Sequence, residues 1–80
     1  MLRPQILSGV DIVKILQQFG FSLASQKGSH IKLLRITASG ERQVLIVPNH
    51  KELDRGTTKA IFSQATKYIA DADLRPHFYN

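Results

Sequence analysis

The sequence predicts a small α+β domain in which two helices pack on one face of a three-stranded antiparallel sheet. Apolar residues recur with a helical period on both sides of a central segment of the 80-residue chain. The central segment contains three β-rich runs that are separated by short turns. A chain of this length is suited to one two-layer domain. We therefore expect residues 1–80 to form a single domain with the element order α-β-β-β-α.

The first predicted helix begins at about residue 9 and ends near Gly20. Ser8 and Asp11 have a capping-box-like spacing, in which the hydroxyl accepts from a first-turn N–H. Gly20 is the expected C-terminal cap. The apolar side chains that share one arc of this helix are Ile12, Val13, Ile15, Leu16 and Phe19.

Three strands are predicted to follow the first helix. Residues 21–26 alternate large and small side chains, as a half-buried strand does. A second strand is predicted over 30–37 and a third over 43–47, where Pro48 ends it. A hairpin that closes on Ser39-Gly40 brings both later strands side by side.

The expected register of this hairpin pairs positions whose numbers sum to about 79. His30 then faces Asn49, and Leu34 faces Leu45. This register predicts that His30 and His50 meet at one end of the sheet, where opposed side chains are about 5 Å apart.

The second predicted helix is entered through Asp54 or Gly56 and carries an apolar stripe as far as Ala72. Thr58 places a polar side chain on this stripe, and we expect its hydroxyl to bond a preceding helical carbonyl. The residues of the stripe are Thr58, Ile61, Phe62, Ala65, Ile69 and Ala72.

The segment 73–80 has no periodicity and is an atypical C-terminal tail. It carries Phe78 and Tyr79, and a small domain rarely leaves such residues free. We expect both to dock on the core of the chain itself, with a partner contact as the alternative.

The charge of the chain favours a polyanionic partner. The formal net charge is +5, and the whole excess lies between residues 27 and 67, which hold eight bases and three acids. Nucleic acid is the natural ligand of such a surface. An inert, solvated basic surface is the alternative.

Several function classes have no support in the sequence. Without cysteine there is no disulfide, thiolate nucleophile or cysteine-bound zinc. His30, His50 and His77 are scattered and form no metal motif, so no metal site is expected. No nucleotide-binding or serine-hydrolase motif occurs. No stretch resembles a secretion signal or a membrane span, which predicts a cytoplasmic protein.

The candidate chemistry is cleavage of RNA without a metal. This reaction needs a base for the 2′-hydroxyl, an acid for the 5′-oxygen and cations for the phosphorane. His30 and His50 can exchange protons near neutral pH, and Lys27 and Lys32 flank His30. An ordinary surface histidine is the alternative for His30.

One predicted face of the hairpin carries His30, Lys32, Leu34 and Ile36, with Leu45 and Val47 across the ladder. If the helices cover the other face, an aliphatic strip remains beside the basic site, and such strips mark partner surfaces. Phe78 and Tyr79 are the alternative cover.

The ordered strings of this chain resemble the HicA family of small toxins. The strings are Ser8-Gly9-Val10-Asp11, Gln26-Lys27-Gly28-Ser29-His30 and Val47-Pro48-Asn49-His50. The resemblance implies a fold similar to a double-stranded-RNA-binding domain and a ribosome-independent mRNA endoribonuclease. It also implies a HicB antitoxin that masks the active site, His30 as the catalytic histidine and no cofactor. By the same resemblance, Gly28 and Ser29 form the turn that presents His30.

Two other functions stay open on the sequence alone. A binding module without chemistry would grip RNA through Arg55, Lys59 and the start of the second helix. A protein-interaction domain would use the basic surface for an acidic partner. A monomer, a homodimer and a toxin–antitoxin hetero-oligomer are all compatible with the sequence.

Overall fold

A computed structural model describes residues 3–80 and confirms the α+β class. The strands form one antiparallel sheet in the order β1-β2-β3. A third helix follows the five predicted elements. The elements are α1 (Gly9–Gln17), β1 (Ser22–Lys27), β2 (His30–Ile36), β3 (Arg42–Pro48), α2 (Arg55–Ala65) and α3 (Asp71–Phe78).

The core lies between the helices and one face of the sheet, which we call the covered face. Buried residues alternate along β2 and β3, so that only this face is protected from solvent. The sheet supplies Ile31, Leu33, Leu45 and Val47 to the core, and the helices supply Ile12, Ile15, Leu16, Ile61, Phe62, Ala65, Leu74 and Phe78.

The predicted start of α1 is confirmed. The Ser8 hydroxyl accepts the Asp11 N–H, and the Asp11 carboxylate accepts the Ser8 N–H, which completes a capping box. These hydrogen bonds from Ser8 lower the pKa of Asp11. Gly20 has a φ of 92°, as expected for a helix-ending glycine, and two turn residues separate it from Gln17.

The predicted register of β2 and β3 is wrong by one residue. His30 pairs with Pro48 and Leu34 pairs with Val44, so that the paired numbers sum to 78. The difference arises because the turn is wider than Ser39-Gly40, and Thr37 donates its N–H to the Glu41 carbonyl. A slip of one residue exchanges the two faces of a strand. Leu45 and Val47 are therefore buried, whereas Val44 and Ile46 are exposed.

The first strand differs from its predicted half-buried pattern. All six residues of β1 are exposed. A β-bulge between Leu23 and Ser25 shifts its register, and β1 is an outer strand of the sheet. Only Phe21, just before the strand, is buried as the alternation predicted.

The prediction that the second helix extends to Ala72 is wrong. α2 ends at Ala65, and the Thr66 hydroxyl donates to the Ser63 carbonyl. Threonine favours such local bonds over helix propagation. A turn then brings Ile69 into the core, while Ala72 lies exposed in α3.

The C-terminal segment that lacked periodicity forms α3, and its docking on the core is confirmed. Phe78 is fully buried, and its ring centroid lies 5.4 Å from that of Phe62. The Tyr79 ring also packs on Phe62, with a centroid distance of 5.3 Å. Arg3 and Asn80 exchange two backbone hydrogen bonds of 2.9 Å, which ties the two ends of the described chain together.

Thr58 is buried as the apolar stripe predicted, but its hydroxyl does not bond a helical carbonyl. Within residues 3–80, the Thr58 Oγ1 atom has no hydrogen-bond partner. A buried hydroxyl without a partner costs stability.

No helix within residues 3–80 is long and apolar enough to cross a bilayer.

Candidate active site

The candidate site is built on the two-residue turn between β1 and β2. Lys27 pairs with His30, and Gly28 and Ser29 lie between them. Gly28 has a φ of 58°, while Ser29 has a negative φ, which is the pattern of a type II′ hairpin turn. The Gln26 side chain donates to the Gly28 carbonyl over 3.1 Å. The turn therefore has a defined shape and presents His30 at its end.

His30 lies on the uncovered face of the sheet, which we call the open face. In one row across the sheet, it is flanked by Lys27 on β1 and Pro48 on β3. Side chains in such a row have Cβ atoms about 5 Å apart. Lys32 lies two residues further along the same face. The imidazole therefore lies between two lysines. Because His30 is exposed, it is also accessible to a ligand.

His50 lies at the same end of the sheet but not opposite His30. The ladder ends at Pro48, and the Asn49 N–H donates to the Ser29 carbonyl over 2.6 Å. His50 follows this contact, and its own carbonyl accepts the Gly9 N–H over 2.9 Å. The predicted pairing of His30 with Asn49 is wrong, since His30 pairs with Pro48, and a shared site of the two imidazoles stays a prediction. The role of His50 as a second acid or base stays a prediction.

Gly9 and Asn49 are positioning residues that sequence reasoning did not assign. A side chain at Gly9 would overlap the Pro48 carbonyl oxygen, so only glycine lets α1 start this close to the end of β3. Asn49 links that same segment to the turn that carries His30. The only signal in the sequence was that Gly9 directly follows the Ser8 cap. Helix capping alone also explains a glycine there, so it did not indicate a role in the site.

The start of α2 lies across the 49–54 loop from this turn. The Asp54 carboxylate accepts the Thr57 N–H, and this hydrogen bond is the main cause that lowers the pKa of Asp54. The positive charge of His50 contributes in the same direction. Arg55 and Lys59 are exposed, one helical turn apart. They lie on α2 and are not part of the His30 row.

The charges of the open face have no partners among the described residues. The three strands contain no aspartate or glutamate. The one ion pair within residues 3–80 joins Arg75 and Asp71, far along the chain on α3. Lys27, Lys32 and Arg42 are therefore available to an anionic ligand. Arg42 was missed as a site residue because the predicted third strand began after it.

Over the described range, no group of three histidine, aspartate or glutamate side chains is arranged to hold a metal ion. The chemistry that these residues can perform is proton transfer at an imidazole and electrostatic stabilisation by lysine.

Comparison with known proteins gives one family. A family model described as the HicA toxin of bacterial toxin-antitoxin systems matches residues 9–66, from the start of α1 to the residue after α2. No curated protein matches the chain significantly. The matched segment includes the turn with His30, the 49–54 loop and the start of α2.

Proposed function

The chain belongs to the HicA toxin family of bacterial toxin–antitoxin systems, and we propose that it is a metal-independent endoribonuclease that cleaves mRNA with His30 as a catalytic residue. The observation that carries this proposal is the exposed His30 imidazole, which a defined turn places between Lys27 and Lys32 on the open face. Such an arrangement brings a proton-transfer group and two cations to one point on the surface.

In the proposed reaction, the 2′-oxygen of a nucleotide attacks the adjacent phosphorus, and the bond from phosphorus to the 5′-oxygen breaks. One group takes the proton of the 2′-hydroxyl, and another gives a proton to the departing 5′-oxygen. His30 performs one of these transfers, because a histidine has both protonation states available near neutral pH. His50 is the candidate for the other transfer.

Lys27 and Lys32 stabilise the negative charge that develops on the phosphorane oxygens. The Gly28-Ser29 turn lets the backbone approach the phosphate, since Gly28 has no atom within 4 Å of the position of a Cβ. Arg55 and Lys59 then contact phosphates further along the same strand of RNA. We assign to Lys27, Lys32, Arg55 and Lys59 the part of mRNA binding that does not depend on the RNA sequence.

A HicB-like antitoxin is the proposed inhibitor, and the cytoplasm is the proposed compartment. The open face carries exposed aliphatic side chains beside the basic site. A protein that covers these side chains also covers Lys32 and His30, which would block access of RNA.

A binding module that uses the start of α2 is the second candidate. One observation disfavours it: the Asp54 carboxylate already occupies the Thr57 N–H, where a phosphate would bind. A second anion at that point would be repelled by this carboxylate.

The test is cleavage of a defined mRNA by the purified chain and by the His30→Ala variant in the presence of EDTA. We expect the wild-type protein to produce fragments with 5′-hydroxyl and 2′,3′-cyclic phosphate ends. His30 is exposed and makes no side-chain hydrogen bond within residues 3–80, so His30→Ala should fold normally and lose at least 100-fold in rate. Circular dichroism and the thermal midpoint verify the fold.

The His50→Ala variant separates the two histidines. A loss of about 10-fold or more supports His50 as the second acid or base. Equal cleavage by the wild-type protein and His30→Ala would overturn the catalytic assignment. RNA that stays intact in both reactions, but binds with a steep dependence on salt, would favour the binding module.

A further inference from the structure

The two outer edges of the sheet differ in how they are protected from other chains. β1 is polar, carries a β-bulge between Leu23 and Ser25, and ends in Lys27. Bulges and lysines are the usual devices that prevent edge-to-edge pairing. β3 has a regular ladder without a bulge and an aliphatic centre, Val44 to Val47. The edge of β3 therefore lacks the protection that β1 has.

The hydrogen-bond pattern shows which backbone groups of β3 face outward. Thr37 donates to the Glu41 carbonyl, and Asn49 donates to the Ser29 carbonyl. In an antiparallel ladder, pairs that exchange hydrogen bonds alternate with pairs that do not. By this alternation, Leu45 is bonded to β2, whereas Val44 and Ile46 direct their N–H and C=O groups away from the sheet. No other described segment bonds this edge.

An apolar groove of about 720 Å³ runs beside this edge, between β3 and α2. Ile46 is 48% exposed and Val44 is 36% exposed. On the helix side, Ala60 and Gln64 both line the groove. The groove is lined by Val44, Leu45, Ile46, Pro48, Asp54, Gly56, Thr57, Ala60, Ile61 and Gln64.

We propose that the free edge of β3 and this groove are a docking site for one extended, acidic strand of a partner protein. The free backbone groups of Val44 and Ile46 supply the main-chain hydrogen bonds of β-strand addition, and the groove takes alternate side chains. The surrounding charge selects an acidic strand, because Arg42 begins β3 and Arg55 begins α2, whose first turn lines the groove. Asp54 is the one acid in the lining, and its carboxylate is held by the Thr57 N–H.

Two other occupants fit less well. RNA would gain no base stacking, since the lining contains no aromatic side chain. A second copy of this chain would bring together two molecules that each carry a net charge of +5, which is unfavourable for association. A partner with negative charge has neither disadvantage.

The experiment uses the full chain and three synthetic eight-residue peptides with blocked ends. The first alternates valine and threonine between terminal glutamates, the second has lysine in place of the glutamates, and the third has N-methyl groups on alternate amides. Binding is measured by calorimetry, and amide hydrogen exchange is followed residue by residue. We expect the first peptide to bind and to slow exchange at Val44 and Ile46 at least 10-fold, with no change in β1.

The matched variants are Ala60→Arg and Ser63→Arg. Both residues are exposed on α2 and both variants add one positive charge, but only Ala60 lines the groove. Ala60→Arg should weaken binding at least 10-fold, whereas Ser63→Arg should bind as the wild-type protein does. Equal binding by both variants, or equal binding of the acidic and lysine peptides, would overturn the proposal. The same conclusion follows if Val44 and Ile46 become protected in the free chain as its concentration rises, because a second copy would then be the occupant.

This docking site does not depend on the proposed ribonuclease activity. A strand paired with β3 lies about 10 Å from β2, at twice the spacing of adjacent strands. His30→Ala should therefore bind the acidic peptide with unchanged affinity. A loss of cleavage without a loss of peptide binding, and the reverse in Ala60→Arg, would separate the two functions.

Discussion

The covered and open faces of the sheet use positive charge in opposite ways. On the covered face, Arg35 donates to the Gln43 side chain at 2.7 Å, the Phe19 carbonyl at 2.8 Å and the Tyr68 carbonyl at 2.7 Å. On the open face, the Lys32 side chain has no hydrogen bond or ion pair within the described residues. The sheet therefore satisfies one cation internally and leaves the other for a ligand.

Arg35 also shows how a cation is held without a carboxylate. Phe19 and Tyr68 follow the ends of α1 and α2, where free carbonyl groups carry partial negative charge. The guanidinium also lies 4.9 Å from the centre of the Phe21 ring. Arg35 thus joins the sheet to the C-terminal ends of two helices. A planar group with five donors is suited to this task in a way that lysine is not.

The largest effect on stability is expected at this residue. Arg35→Met keeps most of the side-chain volume but leaves two carbonyl groups and the Gln43 amide without their donor. We expect the free energy of unfolding in urea to fall by about 2–4 kcal/mol. Lys32→Met, two positions away on the other face of the same strand, is the control and should change stability by less than about 0.5 kcal/mol. A loss of similar size in both variants would remove the distinction between the faces.

The next effect concerns activity rather than stability. Lys32→Ala removes a cation beside His30, and we expect the cleavage rate to fall about 10-fold, which is about 1.4 kcal/mol of transition-state stabilisation. Lys67→Ala is the matched control, because it changes the net charge equally but lies in the turn after α2. Single-turnover cleavage of one RNA substrate measures both. Equal losses of cleavage rate in the two variants would show that cleavage depends only on the net charge of the chain.

The smallest effect is a gain in stability on the covered side. Thr58→Val keeps the shape of the side chain and removes the buried hydroxyl that has no partner. The thermal midpoint should rise, with a gain of about 1 kcal/mol in the free energy of unfolding. Ser63→Ala, which removes a hydroxyl at an exposed position of the same helix, should change stability little. If Thr58→Val is destabilising, the hydroxyl must have a partner, such as an internal water.

Some features of the two faces were predictable from the sequence, and others were not. Local signals were sufficient for the order of the first five elements, the Ser8–Asp11 capping box and the turn that carries His30, because each depends on neighbouring residues. The register of β2 and β3 depended on the width of one turn, and an error of one residue exchanged Leu45 with Val44 between the faces.

The remaining differences have a tertiary origin. Helical periodicity continued through Ile69, but that residue enters the core from a turn, and the pattern alone cannot distinguish the two placements. Arg35 was counted only as part of the basic surface, because its three acceptors come from segments distant in sequence. The role of Gly9 was missed for the same reason, because its close neighbour is the Pro48 carbonyl on a segment distant in sequence.

The most direct test of the central claim is to locate RNA on the folded chain. A short 2′-O-methyl oligonucleotide cannot undergo attack by a 2′-hydroxyl, so it can be titrated into the isotope-labelled protein while amide chemical shifts are recorded. We expect the largest changes at residues 27–30 and at Lys32, with smaller changes at Arg55 and Lys59. Changes confined to α2, with none at His30 or Lys32, would contradict it.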